Sequence, residues 1–274
     1  MAEGPVFGCF SIGSVAATYE EIYVPRIFIP WARLLLDRAD LSQGESVLDV
    51  ATGPGTVARL AAERVGPRGR VVGTDLSAAM IGIAQEKPLA DQAAAIEYLV
   101  APAAPLPVAD GSFDVVTCQQ GLQFFPDCQA ALREMQRALR PGGLLVAAVW
   151  REITLQPSFA AIDAALREGL GADAAEPYGA PFRGPGREEI RQFLAGAAFQ
   201  NVAVDEHRLP LVYEGGITQA LATLAASPVA TTVAALSDKE RARLWEAGRR
   251  RLEPLLVDGA IRTEMVSHLV VATT

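Results

Sequence analysis

The chain has 274 residues, half of them hydrophobic, and 24 Lys and Arg stand against 32 Asp and Glu for a formal net charge of −8. That length and apolar content suffice for a large α/β domain, and the acidic balance argues against a nucleic-acid binder, which carries a basic footprint. Three cysteines (Cys9, Cys118, Cys128) without a CxxC pair, and two histidines (His207, His268) without ligand-spaced partners, argue against a disulfide framework and a His-based metal site. The N-terminus lacks the charged-then-apolar order of a signal peptide, and no apolar run approaches the roughly 18 residues of a membrane span, so a cytoplasmic protein is expected.

Residues 1–13 show no clear period and are expected to be disordered or loosely docked. From Ser14 to Ala39 apolar residues recur at helical intervals, interrupted by Pro25 and Pro30, which predicts two or three short helices. Strand and helix patterns then alternate. Strands are expected at Val47–Val50, Arg70–Thr74, Ile96–Ala101, Phe113–Cys118 and Leu144–Trp150, and helices at Thr56–Val65, Ser77–Gln85 and Cys128–Leu139. Short apolar strands separated by amphipathic helices imply a mainly parallel sheet covered on both faces.

Beyond Trp150 the expected elements are a helix over Ser158–Gly169, a Pro/Gly-rich loop over Glu176–Gly186, a helix over Arg187–Ala197 and a strand from Asn201 to Val212. A largely helical segment runs from Gly215 to Val257, and Glu264–Thr273 is the last strand. The helical insertion is a candidate lid or homodimerisation element. Its run from Lys239 to Arg251 holds six Lys or Arg and two Glu beside an apolar stripe of Leu244, Gly248, Leu252 and Leu255, the pattern of a solvated amphipathic helix.

The stretch with the most chemical content is VLDVATGPGTVA, Val47–Ala58. A strand that turns through Gly53, Pro54 and Gly55 into a helix presents backbone N–H groups to a ligand. Gly53, Gly55 and Ala58 also fit the dinucleotide pattern G-x-G-x-x-G/A, which alone is a weak signal for a nicotinamide enzyme. Asp49 weighs against a pyrophosphate and favours a cationic group such as an α-amino group or a sulfonium; its bland alternative is to bond the N–H groups of the loop. Asp75, ending the second strand, is placed to accept both hydroxyls of a ribose, or else to cap the next helix, a task open to Ser77 as well. Leu76 and Met80 would give an adenine ring apolar contact, though core packing explains Met80 equally well.

With VVGTDLSAAM, LPVADGSFDVVTCQQGLQFF and ALREMQRALRPGGLLVAAVW following in order, the chain resembles class I S-adenosylmethionine-dependent methyltransferases, in particular the small-molecule subfamily of ubiquinone and menaquinone biosynthesis. The resemblance covers Val47–Trp150 strongly, Tyr19–Ala39 modestly, and little beyond Arg151. It implies a doubly wound, Rossmann-like α/β fold with a seven-stranded, mostly parallel sheet whose last strand is antiparallel. One methyltransferase domain would span 1–274, with an N-terminal helical cover (14–40), a sheet core (41–212 and 260–274) and a helical lid (213–258). By the same resemblance S-adenosyl-L-methionine is the cofactor, Asp49 and Gly53–Gly55 hold its methionine end, Asp75 its ribose, and Leu76 and Met80 its adenine. Cys118 and Gln119 would line the methyl-transfer site, with Tyr19 as part of the cover.

Two departures stand out. Ala51 occupies a position where the wider family commonly has glycine, a small change that ubiquinone-type members share. Ala101, Pro102 and Ala103 stand where relatives read Gly-Asp-Ala, so the side-chain acceptor for the adenine amino group is missing. The backbone N–H of Ala103 can still reach a ring nitrogen, and the lost bond is worth about 0.5–1.5 kcal/mol. The expected reaction is methyl transfer to a small, largely apolar acceptor such as a natural product or quinone-like ring; the alternative is a protein that binds the cofactor without methylating, as a cyclase, a decarboxylase or an inactive partner. No general base is evident. Gln119, Gln120 and Gln123 could orient an acceptor, and Tyr19, Tyr23, Trp150 and Tyr178 could add an aromatic wall.

Overall fold

The computed structural model describes residues 12–274; residues 1–11, with Cys9 and most of the stretch expected to be disordered or loosely docked, lie outside the described residues. The chain divides into two compact units. The first comprises the chain up to Ile27, Arg151–Arg183 and Arg208–Val266; the second comprises Phe28–Trp150, Gly184–His207 and Ser267–Thr274.

In the second unit, α1 having preceded it at Gly13–Tyr23, helix α2 (Ile29–Ala39) leads into β1 (Ser46–Val50), α3 (Thr56–Val65), β2 (Arg70–Asp75), α4 (Ala78–Glu86), β3 (Ile96–Val100), β4 (Phe113–Gln119), α5 (Cys128–Ala138) and β5 (Leu139–Trp150). Pro25 interrupts the α-helical run, as expected, without ending its helicity. It falls in a π-helical turn, Val24–Phe28, between α1 and α2. Strands β1–β5 are parallel, in the order β3-β2-β1-β4-β5. Alternate strand residues enter different cores. Val47, Val71, Val115 and Val146 meet α2 and α3 through Leu35, Leu36, Ala58 and Ala61. Leu48, Val72, Val116 and Leu145 meet α5 through Leu132 and Met135, and α8 (Arg187–Gly196) through Ile190 and Leu194. Burial on both sides explains the near-continuous apolar strands.

The strand expected from Leu144 begins earlier, at Leu139, because Phe113 already pairs with Leu139; the register then slips before Val115 pairs with Leu144, so Pro141-Gly142-Gly143 form a bulge within β5.

The first unit holds α6 (Pro157–Leu170), α7 (Ala172–Gly179), α9 (Gly216–Ala222), α10 (Ala230–Ala234) and α11 (Asp238–Leu252), while β6 (Gln200–Tyr213) begins in the second unit and passes into the first at Arg208. The loop expected over 176–186 is thus partly helical despite Pro177. Tyr178 and Phe182 turn inward onto Phe159, with ring centroids 6.1 and 5.0 Å away. Helix α11 carries the basic run: Leu244, Ala247, Gly248 and Leu252 are buried, while Arg250 and Arg251 pair with Glu168 of α6.

The sheet has eight strands, not seven. The additional one is β7, Leu256–Val257, which pairs with β8 (Ala260–Thr273) across Asp258-Gly259. Both turn residues have positive φ, 50° and 82°, the primed-turn geometry that Asp-Gly favours in a two-residue hairpin. Strand β8 runs antiparallel to β5, and the full order is β3-β2-β1-β4-β5-β8-β6.

Candidate functional site

The glycine turn closes β1 and opens α3. Thr52 N–H donates to Thr74 O (2.9 Å) and Gly55 N–H to Thr52 O (3.0 Å), which folds the turn back on the end of β2. Ala51, Gly53 and Gly55 all have positive φ, at 58°, 55° and 78°. For Ala51 that conformation is uncommon, and it fits the glycine that the wider family carries at this position. The two glycines differ in surroundings. A Cβ on Gly55 would strike the Tyr98 hydroxyl and lie 3.0 Å from Ala84 Cβ, whereas one on Gly53 would meet nothing within 4 Å. The fold requires Gly55, and Gly53 leaves the turn open to a ligand.

Register explains the setting of Asp49. Its neighbours on the adjoining strands are Gly73 and Thr117, and Gly73 in turn pairs with Tyr98. Paired residues share a sheet face, so the Thr117 hydroxyl reaches Asp49 Oδ1 (2.8 Å). Thr52 Oγ1 donates to Oδ2 (2.5 Å), and the Ala58 N–H also serves the carboxylate. The Tyr98 ring lies over Gly73, where a Cβ would stand 2.9 Å from Tyr98 Cδ1. Asp49 is only 1% exposed, and burial raises its carboxyl to about 6 against the lowering effect of these bonds. The carboxylate therefore braces the turn from beneath and places a buried charge under it.

Asp75 ends β2 and ties it to the glycine turn. Gly53 N–H donates to Oδ2 (2.8 Å) and Ser77 N–H to Oδ1 (2.8 Å). Ser77 caps α4 by accepting from Met80 N–H, so capping is not the task of Asp75. Burial raises the Asp75 carboxyl, and the two N–H groups oppose that shift. Leu76 is 46% exposed, and Val100, the register partner of Asp75, is 56% exposed. This apolar pair flanks the carboxylate. Met80 is buried. Pro102 is exposed and Ala103 half-buried, on a loop pinned to α5 by Arg137, whose guanidinium donates to Leu106 O (3.1 Å) and Val108 O (2.8 Å).

At the end of β4, Cys118 points into the core shared with α5, and burial, then the Asp49 charge, pushes its thiol up. Gln119 is 8% exposed and donates to Phe28 O (3.0 Å). The four proposed wall aromatics fall in different units. Tyr19, Tyr23 and Tyr178 belong to the first, where Tyr19 meets Tyr23 edge-on and Tyr23 and Tyr178 stack on Phe159. Trp150 belongs to the second and packs on Trp31 and Phe28. Thr52, Thr117, Tyr98 and Val100 surround the turn and the two aspartates and were not among the residues expected from sequence. Of these only Thr52, inside the turn, and Val100, beside the missing acceptor, carried a local signal.

Among the described residues no group of His, Cys, Asp and Glu could hold a metal ion, and no helix is long and apolar enough to cross a membrane.

The residues fit a nucleoside with a cationic tail: an open cradle at Gly53, a carboxylate flanked by exposed apolar side chains, and a buried negative charge below. Fold and site together define a class I methyltransferase, the class whose methyl donor is S-adenosyl-L-methionine. The chain belongs to the ubiE/COQ5 methyltransferase family, which residues 11–165 match. It is 40% identical over 138 residues to the ubiquinone/menaquinone biosynthesis C-methyltransferase UbiE of Hahella chejuensis, a match over 48% of this chain and 55% of that protein. It is 32% identical over 185 residues to the demethylmenaquinone methyltransferase of Staphylococcus aureus, over 64% of this chain and 76% of that one. The chain thus spans little more than half the length of the Hahella relative. The phosphoethanolamine N-methyltransferase 2 of Haemonchus contortus, solved with S-adenosyl-L-methionine, shares the fold with a TM-score of 0.64 at 18% identity, covering 100% of this chain and 60% of its own.

Proposed function

We propose that this chain transfers a methyl group from S-adenosyl-L-methionine to a small, largely apolar, quinone-like acceptor in the cytoplasm. The observation that carries the reading is the anchoring of one open turn to two acidic residues: Asp49 beneath it, bonded by Thr52, and Asp75 beside it, bonded by the Gly53 N–H. The quinone methyltransferase activities of the ubiquinone and menaquinone relatives support the acceptor class.

Asp49 and the turn hold the methionine end, Asp75 takes the ribose hydroxyls, and Leu76 with Val100 flanks the adenine. Met80, buried in the first turn of α4, is part of the core beside the turn rather than an exposed wall. At Pro102 the adenine amino group loses a side-chain acceptor, and the Ala103 N–H serves the ring instead. The cofactor supplies a methyl group already activated on a sulfonium. What remains for the chain is to align the nucleophile and exclude water. The side chains of Gln119, Gln120 and Gln123 orient an acceptor without taking its proton, which suits an acceptor already nucleophilic at neutral pH.

Transfer of labelled methyl from S-adenosyl-L-methionine to reduced, demethylated quinones tests the reading. Incorporation into the ring is expected; binding of the cofactor with no transfer to any quinol counts against the acceptor class. In the same assay Asp75→Ala should raise the cofactor KM about 10-fold or more, the value of a charge-assisted hydrogen bond, with a smaller change in kcat. An unchanged KM would remove Asp75 from the ribose site.

A further inference from the structure

The glycine turn has a support besides its two aspartates. Lys87, the residue that ends α4, donates from Nζ to Pro54 O across 3.0 Å. The way α3 begins shows why a side chain is needed there. Gly55 is the N-cap and brings no side chain to the first turn, so the Ala58 N–H turns to the Asp49 carboxylate instead. Pro54 is buried and its carbonyl precedes the helix; the ammonium group of Lys87 reaches it from 33 residues further along the chain.

Two successive peptide groups of the turn are thereby held on both sides. The Thr52–Gly53 peptide gives its N–H to Asp75 (2.8 Å), and its oxygen accepts from Gly55 N–H (3.0 Å). The Pro54–Gly55 peptide uses that same N–H on one side and the Lys87 bond on the other. Gly53 and Gly55, at φ of 55° and 78°, impose little preference of their own, so these bonds set the orientation of the peptides. Helix α4 is fastened to the turn along its length. Ser77 N–H meets Asp75 at its start, Ala84 packs against Gly55, and Lys87 closes the far end.

We propose that Lys87 is a positioning residue for the cofactor, which it serves by holding the Pro54 carbonyl and so keeping the open side of the turn in its binding geometry. This inference rests on the methyl-transfer reading above, in which the turn holds the methionine end. Without the ammonium group the Pro54–Gly55 peptide rotates, only a fraction of the chains presents the binding turn, and apparent affinity falls by that fraction. The coupling is reciprocal. Whatever factor the Lys87 bond contributes to cofactor affinity, the cofactor contributes to closure of that bond. An occupied turn therefore shields the Lys87 amine.

The chain has two lysines, Lys87 and Lys239, and Lys239 is exposed in the first turn of α11, so it serves as an internal reference. The full chain is acylated with limiting N-hydroxysuccinimidyl acetate, with and without saturating S-adenosylhomocysteine, and each site is quantified by mass spectrometry. Relative to Lys239, labelling of Lys87 should slow about fivefold or more when the ligand is bound. By calorimetry Lys87→Met, which keeps the stem without the donor, should bind S-adenosylhomocysteine about fivefold or more weakly. Lys87→Arg, which keeps a charged donor, should return to within about twofold of the native affinity. Labelling of Lys87 that ignores the ligand, native affinity in Lys87→Met, or an equal loss in both variants would overturn the proposal and leave Lys87 a brace for the end of α4. A native chain that binds neither S-adenosylhomocysteine nor S-adenosyl-L-methionine would instead overturn the methyl-transfer reading and this inference with it.

Discussion

Asp49→Asn is expected to leave the protein folded, and at neutral pH no less stable, while weakening cofactor binding roughly 10- to 100-fold. The two effects have opposite origins. Burial raises the Asp49 carboxyl from 3.8 to about 6, so the charged form is penalised by about 3 kcal/mol in the folded protein. Between these pH values the folded state holds a proton that the unfolded state has released. Stability therefore falls as pH rises from about 4 to about 6, and the full penalty stands above that window. Asparagine avoids it and can still accept a bond from Thr52 or Thr117. Thermal melts at about pH 5 and pH 7.5 check this: the native protein should lose stability between them and the variant should lose less. The cofactor's sulfonium and amino group need the opposite, a charged carboxylate beneath the turn. Native affinity should decline as pH drops below about 6, and that decline should vanish in the variant. A variant that binds the cofactor as well as the native protein would reduce Asp49 to a brace for the loop.

Gly55→Ala and Gly53→Ala should separate fold from binding within three residues. At Gly55, φ of 78° and the collision of a Cβ with the Tyr98 hydroxyl both oppose a side chain. A left-handed alanine costs about 1–2 kcal/mol, and forcing the contact costs about 1–3 more. For a chain of this size, with an unfolding entropy of roughly 0.6 kcal/mol/K, the combined cost of about 2–5 kcal/mol should lower the melting temperature by roughly 3–9 °C. At Gly53 a Cβ meets nothing within 4 Å, so only the backbone cost of about 1–2 kcal/mol applies. Its methyl group nevertheless occupies the open side of the turn, and cofactor affinity should drop at least about 10-fold, because the ligand loses its close approach to the backbone. Melting curves and calorimetry on the pair check both halves. If Gly53→Ala binds normally, the open side of the turn does not face the cofactor.

The parts of this site legible in sequence are those that local chemistry dictates. Gly53 and Gly55 announce a turn, Asp49 interrupts an apolar strand one residue before its end, and Asp75 ends the next strand. Partners that depend on strand register were not legible. Thr117 lies 68 residues from Asp49 and reaches it only because β1 and β4 pair as they do. The bond from Gly53 to Asp75 likewise needs β2 in its place beside β1. Tyr98 reads as an ordinary aromatic in a strand, and only its passage over Gly73 brings it to the turn. The eighth strand was legible in principle, since Asp258-Gly259 is a hairpin signal, but the helical period of α11 runs almost up to it. Around Pro177, packing of Tyr178 and Phe182 on Phe159 prevailed over the loop composition.

Calorimetric titration of the native chain with S-adenosylhomocysteine tests the central claim most directly. Binding at one site per chain, weakened about 10-fold or more by Asp75→Ala and by Gly53→Ala with the fold retained, is the predicted result. The absence of binding heat from S-adenosylhomocysteine and from S-adenosyl-L-methionine across a range of temperatures, in a protein that melts cooperatively, would contradict it.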